Sequence, residues 1–410
     1  MKRMMILAAF LPVLLPPPVG ADQGDGYSLS EIVQLAIENN PRLKAMASEV
    51  EAHRAASQAS KRLFNPSLSF QTGSAESHDG TKTRNTSGLS LSQYIENPLK
   101  RLNRIRMSES EWQASQYALD SLTLDVVFEV KRHFYLILLY EEREELARMN
   151  LTALEQAHEL VETRVRLGET RELEAIRLQV EVMQARNELN GARTELELAR
   201  RHLNGLLGAV LPGDYTLAES LTWTPVEAEE SDLRELALQK HPLIGQSRED
   251  LDLARYRLGY ARSSRIPDPE LTGFMVDELH GRNRGIGISL AVPLWNFSSR
   301  EIAEARSLSA MQEHELEALE IDISTQVAIY LNRLTLLTER IELFQTGLLR
   351  QAEESLQISE TSYRQGEISL IEYLDAQRTY YSILNSYNGS LFDWNLGRAA
   401  LERAIGEDLE

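Results

Sequence analysis

Glu372 and Asp375 lie three residues apart, so on a helix they share one face and present two carboxylates together. Like charges held in a narrow mouth draw cations and repel anions; on an open helix surface the same pair is only solvated charge. Other chemistry is sparse. The eight histidines, among them His133, His158, His241 and His314, show no i,i+4 pairing and no HExxH arrangement. The nine methionines do not cluster beyond the first residues, and transition-metal sites need several convergent ligands, so no metal site and no cofactor is expected. No nucleophile stands with a base and no acid–base pair is framed by a cleft pattern, so catalysis is not expected either.

Composition narrows the setting. The absence of cysteine removes disulfides, thiolate ligands, thiol nucleophiles and an acylated N-terminal cysteine together. Residues 1–21 combine Lys2 and Arg3, an apolar run from Met4 to Leu15, and Val19-Gly20-Ala21 before Asp22, the layout of a secretory signal. The net charge is −19, and −21 without Lys2 and Arg3, which excludes a basic nucleic-acid footprint. No later stretch reaches the ~20 apolar residues of a spanning helix.

The acidic pair follows a turn. In Tyr363-Arg364-Gln365-Gly366-Glu367, Gly366 interrupts a long helical pattern, and Arg166-Leu167-Gly168-Glu169 repeats that turn 198 residues earlier. The repetition covers both halves. Asn40-Pro41 is answered by His241-Pro242, Pro66-Ser67-Leu68 by Pro269-Glu270-Leu271, Gly88-Leu89-Ser90-Leu91 by Gly287-Ile288-Ser289-Leu290, Asn97 by Asn296 and Gly208 by Gly406. The first repeat, 22–208, is expected to hold helices over 29–64, a β-hairpin over 66–96, a long helix over 98–166 and a return helix over 169–208. The second, 233–406, is expected to hold helices over 233–265, a hairpin over 269–295, a long helix over 298–364 and a return helix over 367–406. Residues 209–232, rich in proline and acid, read as a linker.

Leu173, Ile176, Val180 and Met183, and again Leu196, Ala199, Leu203 and Leu206, are spaced as coiled-coil seams. Tyr380, Leu384, Tyr387, Leu391, Trp394, Leu401 and Ile405 continue the same spacing in the second return helix. In the hairpins the period changes to two: Leu68 and Phe70 alternate with Ser67, Ser69 and Gln71, and Ile286, Ile288, Leu290, Val292 and Leu294 form the cleanest alternation. In each half the two shorter helical stretches together match the long helix, which at 1.5 Å per residue gives a rod of about 100 Å. The four strands are each near the ~9–11 residues that a membrane-crossing strand needs. Four strands cannot close a barrel and a membrane tolerates no open edge, so at least two chains, and better three, must contribute.

The signal, the doubled order of helix, hairpin, long helix, turn and return helix, the Val292-Pro293-Leu294-Trp295-Asn296 ending and the Tyr363–Gln377 turn together resemble the TolC outer-membrane efflux family. Leu89-Ser90-Leu91-Ser92-Gln93, followed by Pro98-Leu99-Lys100-Arg101, is similar to the CzcC-like branch that serves heavy-metal cation pumps. The resemblance implies a mainly α fold with a β-barrel portion: long antiparallel helical hairpins forming a periplasmic α-barrel, and four strands per chain entering a 12-stranded trimeric barrel in the outer membrane of a Gram-negative cell. It implies a passive duct, a homotrimer in outer-membrane lipid, working with a periplasmic adaptor (membrane fusion protein) and an inner-membrane pump such as one of the RND type. Acidic residues matching Glu372 and Asp375 form the family's constriction, and Tyr363 matches a residue that holds the closed state. The arginine that partners it there falls on Ile368, so the closing bridge differs. Arg166, Leu167, Gly168 and Glu169, with Arg364, Gln365, Gly366 and Glu367, become adaptor-contact candidates. The competing reading is a soluble periplasmic coiled-coil scaffold or adaptor, which leaves the greasy strands without a purpose.

Overall fold

The computed structural model describes residues 26–76, 83–279, 281–293, 295 and 297–409. The expected signal at 1–21, the hairpin tip His78–Thr81, and Leu294 and Asn296 lie outside the described residues.

Each repeat opens with two short helices broken at a proline. α1 (Leu29–Asn39) starts at Ser28, which shares a reciprocal cap with Glu31, and α2 (Pro41–Ser60) starts where the Asn40 side chain accepts from Arg42 N at 2.8 Å. Their counterparts are α5 (Glu230–Lys240) and α6 (Pro242–Ser263), with the His241 ring accepting from Leu243 N at 3.2 Å. α2 was expected to run to residue 64 but ends at Ser60. Arginines from the next helix take its last carbonyls: Arg104 donates to Ser60 O at 2.6 Å and Arg101 to Lys61 O at 2.8 Å. The long helix α3 (Pro98–Arg166) has proline at its first turn and neither proline nor glycine thereafter. Its return helix α4 (Glu172–Leu206) begins three residues later than the periodicity suggests, because Gly168 to Arg171 are used by the turn.

The second long helix is not continuous. α7 (Ser299–Leu343) passes through a π-helical turn, Phe344–Leu348, into α8 (Leu349–Gln365), and α9 (Leu370–Ile405) returns. The inward positions explain the extra residue. Val327, Leu334 and Ile341 step by seven, as do Leu337 and Phe344; past the π turn the next member of each track lies eight on, at half-buried Leu349 and buried Ala352, and Leu356 and Tyr363 resume the step of seven from Leu349. A π turn absorbs one residue and keeps the stripe facing the same neighbour.

Strands β1 (Ser67–Glu76), β2 (Thr83–Tyr94), β3 (Pro269–Glu278) and β4 (Gly281–Leu290) form one antiparallel sheet in chain order. Its register pairs Leu68 with Leu91, Phe70 with Leu89, Leu89 with Met275 and Leu271 with Ile288 on one exposed apolar face. Ser67, Ser69, Ser90, Ser92, Thr272 and Gly287 lie on the other. One face suits hydrocarbon and the other water, as in a spanning barrel. β4 stops at Leu290 rather than near 295, since Pro293 has no N–H to give a ladder. β1 and β4 each pair on one side only, so the sheet ends in two open edges.

α3 is the spine. Near the sheet it packs between α2 and α6, with α7 beyond α6; toward the far end it packs between α4 and α9, with α8 beyond α9. Sheet and helices are joined at Asp268, which accepts from Lys100 Nζ at 2.6 Å, from Asn97 N at 2.7 Å and from the Tyr94 hydroxyl. Residues 209–229 carry no helix and strap the middle of the rod, placing Leu211 and Tyr215 in the core of the first repeat and Trp223 and Val226 against that of the second. Gly208 and Gly406 end equivalent helices with φ of 73° and 86°, and a Cβ on either would strike Asn39 O or His241 Cα at 2.9 Å.

One expected seam is displaced. α4 turns Leu178, Ala185 and Leu189 toward α3, whereas Leu173, Ile176, Val180 and Met183 are 49–66 % exposed. In a single chain α4 packs mainly on α3, with side-chain links to α9, and among the described residues its second apolar stripe stays uncovered. The upper seam, Leu196, Ala199 and Leu203, is buried, with Leu206 against it.

Candidate gate at the paired helical tips

Both turns end their helix the same way. Gly168 (φ 74°) and Gly366 (φ 78°) are left-handed, and the residue after each reaches back to close the last turn, Glu169 N to Arg164 O at 2.9 Å and Glu367 N to Ser362 O at 2.8 Å. All eight tip residues, Arg166 to Glu169 and Arg364 to Glu367, are exposed, and Leu167 shows 68 % of its surface.

The entries to the return helices differ. α4 begins at Arg171 without any side-chain cap, whereas Ser369 and Glu372 form a reciprocal capping box at the start of α9. Glu372 Oε2 accepts from Ser369 N at 2.7 Å and from Ser369 Oγ at 2.8 Å, which holds its carboxyl below the usual range. Glu372 is thus an exposed carboxylate with a structural task, and the Ser-x-x-Glu spacing that sets it was readable in the sequence. Asp375 is exposed and has no partner among the described residues. The two share the exposed face of α9's first turns, while Leu370, Tyr373, Leu374 and Gln377 face inward.

Tyr363 is buried at 5 % exposure, its ring stacked on Tyr373 with centroids 5.3 Å apart and planes 6° from parallel. Its hydroxyl has no hydrogen-bond partner among the described residues, and burial pushes its pKa up to about 12. The ring, not the hydroxyl, makes the contact with its neighbours. Sequence reasoning passed over Arg164. Its guanidinium sits 5.7 Å from the Tyr363 ring centroid and donates to Tyr363 O at 3.3 Å and Arg364 O at 2.5 Å, the last carbonyls of α8. A cation over the C-terminal carbonyls of a neighbouring helix is favoured by the helix dipole as well as by direct hydrogen bonds.

Deeper in, Gln377 Nε2 donates to Asn150 Oδ1 at 2.9 Å and Arg378 pairs with Glu181, tying α9 to α3 and α4. A cleft of about 550 Å³ runs between α3 and the second hairpin, lined by Leu160, Arg164, Leu356, Tyr363, Tyr380 and Tyr381. At the tip end the second hairpin is held to the first by few polar links and one small apolar cluster around Leu154, Val161, Leu178 and Tyr363. Among the described residues no cluster of metal-ligating side chains occurs, and no helix is long and apolar enough to cross a membrane.

Residues 32–209 and 233–407 match the family described as outer membrane efflux protein. The chain belongs to that family. The two matched segments are the two repeats, split at the strap. Among characterised relatives, the cobalt-zinc-cadmium resistance protein CzcC of Cupriavidus metallidurans is 24 % identical over 381 residues, 92 % of this chain and 90 % of that protein. The outer membrane protein TolC of Vibrio cholerae is 23 % identical over 418 residues, again covering 92 % of this chain and 90 % of the relative. The fold matches the outer-membrane channel OprN with a TM-score of 0.81 at 17 % identity, over 92 % of this chain and 89 % of OprN. It matches CusC with a TM-score of 0.79 at 18 % identity, over 92 % of both chains. This efflux protein is accordingly an outer-membrane channel with a helical extension into the periplasm, in a family of transport channels rather than enzymes. The soluble-scaffold reading falls away, and the exposed apolar sheet face acquires its solvent.

Proposed function

We propose that this efflux protein is the passive exit duct of a tripartite system, a homotrimer that carries heavy-metal cations, or small toxic compounds, from an inner-membrane pump and periplasmic adaptor to the exterior. The observation that carries the reading is the pair of open sheet edges in a chain whose two repeats both match the family. Three copies supply twelve strands and remove every edge, as a membrane requires. The resistance protein among its relatives and the acidic pair Glu372 and Asp375 favour cations as the cargo. In the trimer the pair becomes a ring of six carboxylates at the periplasmic entrance, with Tyr363 packing the second hairpin shut. The exposed tips, Arg166 to Glu169 and Arg364 to Glu367, meet the adaptor. The protein performs no chemistry on its cargo; energy comes from the pump.

The test is complementation in a host deleted for its own efflux channel, supplied with a cation-exporting inner-membrane pump and that pump's adaptor. Restored growth in cobalt, zinc or cadmium supports the cation reading. Restored tolerance to organic toxicants alone replaces it with the small-compound reading, and no rescue of either kind removes the duct assignment for that pump.

A further inference from the structure

Where the sheet meets the helices, a groove of about 530 Å³ runs between the end of α2 and the start of α3. Its walls are Leu63 after α2, Ile95 after β2, and Pro98, Arg101, Leu102 and Ile105 from the first two turns of α3. At 3.6 residues per turn those four α3 positions share one face. Lys100, which reaches Asp268, leaves the helix on the opposite side. Gln93, also in the lining, pairs with Leu271 on the apolar face of the sheet, and Ile95 follows two residues on, its N–H still donating to Pro269 O at 2.9 Å. The groove thus continues the surface that meets hydrocarbon. It also lies at headgroup depth: Phe64, Trp295 and Phe297 are exposed in the segments that join strands to helices, and such rings at the foot of a spanning sheet mark the membrane–water boundary.

The charge of the groove runs against that of the chain. The whole protein carries −19, yet the one acid in the lining, Glu96, is paired with Arg104 at 2.7 Å and shows only 4 % of its side chain. Arg101 has no carboxylate partner among the described residues. Its guanidinium donates to Lys61 O at 2.8 Å, and its Nε is buried without a hydrogen-bond partner among them. Arg62, exposed beside Leu63, makes no ion pair with any described residue. The second repeat is built differently at this height. The first two turns of α7 expose Arg300 together with Glu301 and Glu304, so an anion there would meet carboxylates, whereas α3 offers Leu102 and Ile105.

We propose that the groove binds one anionic phospholipid of the leaflet facing the periplasm. Its phosphodiester lies against Arg101 and Arg62, and an acyl chain runs over Leu63 and Ile95 toward Leu91 on the sheet. Cations without a carboxylate partner attract the phosphate, and apolar walls open to hydrocarbon select a lipid over a free anion. A neighbouring copy leaves the site open: β2 is flanked by β1 and β3, and the groove lies on the α3 side of α2, away from the β1 edge. The bound lipid fixes the depth at which sheet gives way to rod. This inference goes beyond export and depends on neither the cargo nor the gate.

Native mass spectrometry of the full-length channel tests it, using micelles that hold phosphatidylglycerol and phosphatidylethanolamine of the same acyl chains in equal amounts. The expected result is one phosphatidylglycerol retained per chain after phosphatidylethanolamine has been stripped. Arg62→Ala should weaken retention about fivefold, and adding Arg101→Ala should weaken it by about that factor again. Leu102→Glu, which sets a carboxylate in the groove, should abolish it. Arg84→Ala, which removes a cation at the far end of β2, should leave it unchanged. Because Arg101 also holds Lys61 O, Arg62→Ala and Leu102→Glu decide should its variant not assemble. Equal retention of the two lipids, equal loss in Arg84→Ala, or no loss in the groove variants overturns the site. Displacement by glycerol phosphate, which has the anion without the chains, overturns a lipid as its occupant.

Discussion

The two tips are copies that have parted company. Their helix endings are the same, glycine for glycine and hydrogen bond for hydrogen bond, because both must reverse a helix within four or five residues. Their beginnings are not: α9 starts with Ser369 and Glu372 capping each other, and α4 starts with Arg171 capping nothing. The first hairpin supplies the continuous helix and the arginine that reaches across. The second supplies the ring that is gripped, the acidic face and the interrupted helix. On the function proposed here, the first hairpin is the frame and the second is the gate.

Substitutions can break that contrast, beginning at the shared cluster. Tyr363→Ala should cost about 3 kcal/mol, the usual loss for a buried aromatic ring, while Tyr363→Phe should stay within about 0.5 kcal/mol because the hydroxyl has no partner to lose. Thermal unfolding of the two variants separates ring from hydroxyl. Arg164→Ala removes two charged hydrogen bonds and should weaken the grip between hairpins by about 2 kcal/mol, a roughly 30-fold rise in open fraction. Single-channel recording reads that rise, and an unchanged open fraction would deny Arg164 its place as the link. Exchanging the caps comes next. Ser369→Ala should destabilise α9 by about 1 kcal/mol, and Arg171→Ser, which sets a serine three residues before Glu174, should stabilise α4 by about 0.5 kcal/mol. Opposite shifts in melting temperature would show that the tips differ by their caps.

The smallest effect is one of pH. Glu372 has a lowered pKa in the folded chain, so its contribution is present above its ordinary value of 4.5 and is lost as pH falls through the lower folded value. The stability advantage of the unsubstituted protein over Ser369→Ala should therefore shrink on acidification below pH 4.5, with melts at pH 6 and pH 3.5 as the comparison.

Much of this was legible in the chain. α3 could be bounded at both ends because Asn97-Pro98 opens it, Gly168 closes the turn after it, and nothing between interrupts it. The sheet faces followed from Leu68, Phe70, Leu89 and Leu91 alternating with serine and glycine. What escaped were relations between segments. Periodicity identifies a stripe but not its partner, so Leu173 to Met183 looked like a seam although α3 is met by Leu178 and Ala185. The step of eight from Ile341 to Leu349 was present but is visible only once the buried track is known. Arg164 reads as one more charged helix residue until α8 is placed beside it. The Glu372 cap was legible and was overlooked in favour of its charge.

The central claim is that the second hairpin sets a cation-selective entrance to an outer-membrane duct. It is tested most directly by the reversal potential across a planar bilayer under a salt gradient, comparing the unsubstituted channel with the Glu372→Ala, Asp375→Ala double variant. The account predicts cation selectivity that falls toward none in the double variant. Selectivity that stays the same would place Glu372 and Asp375 off the conduction path and leave Glu372 only its role as a helix cap.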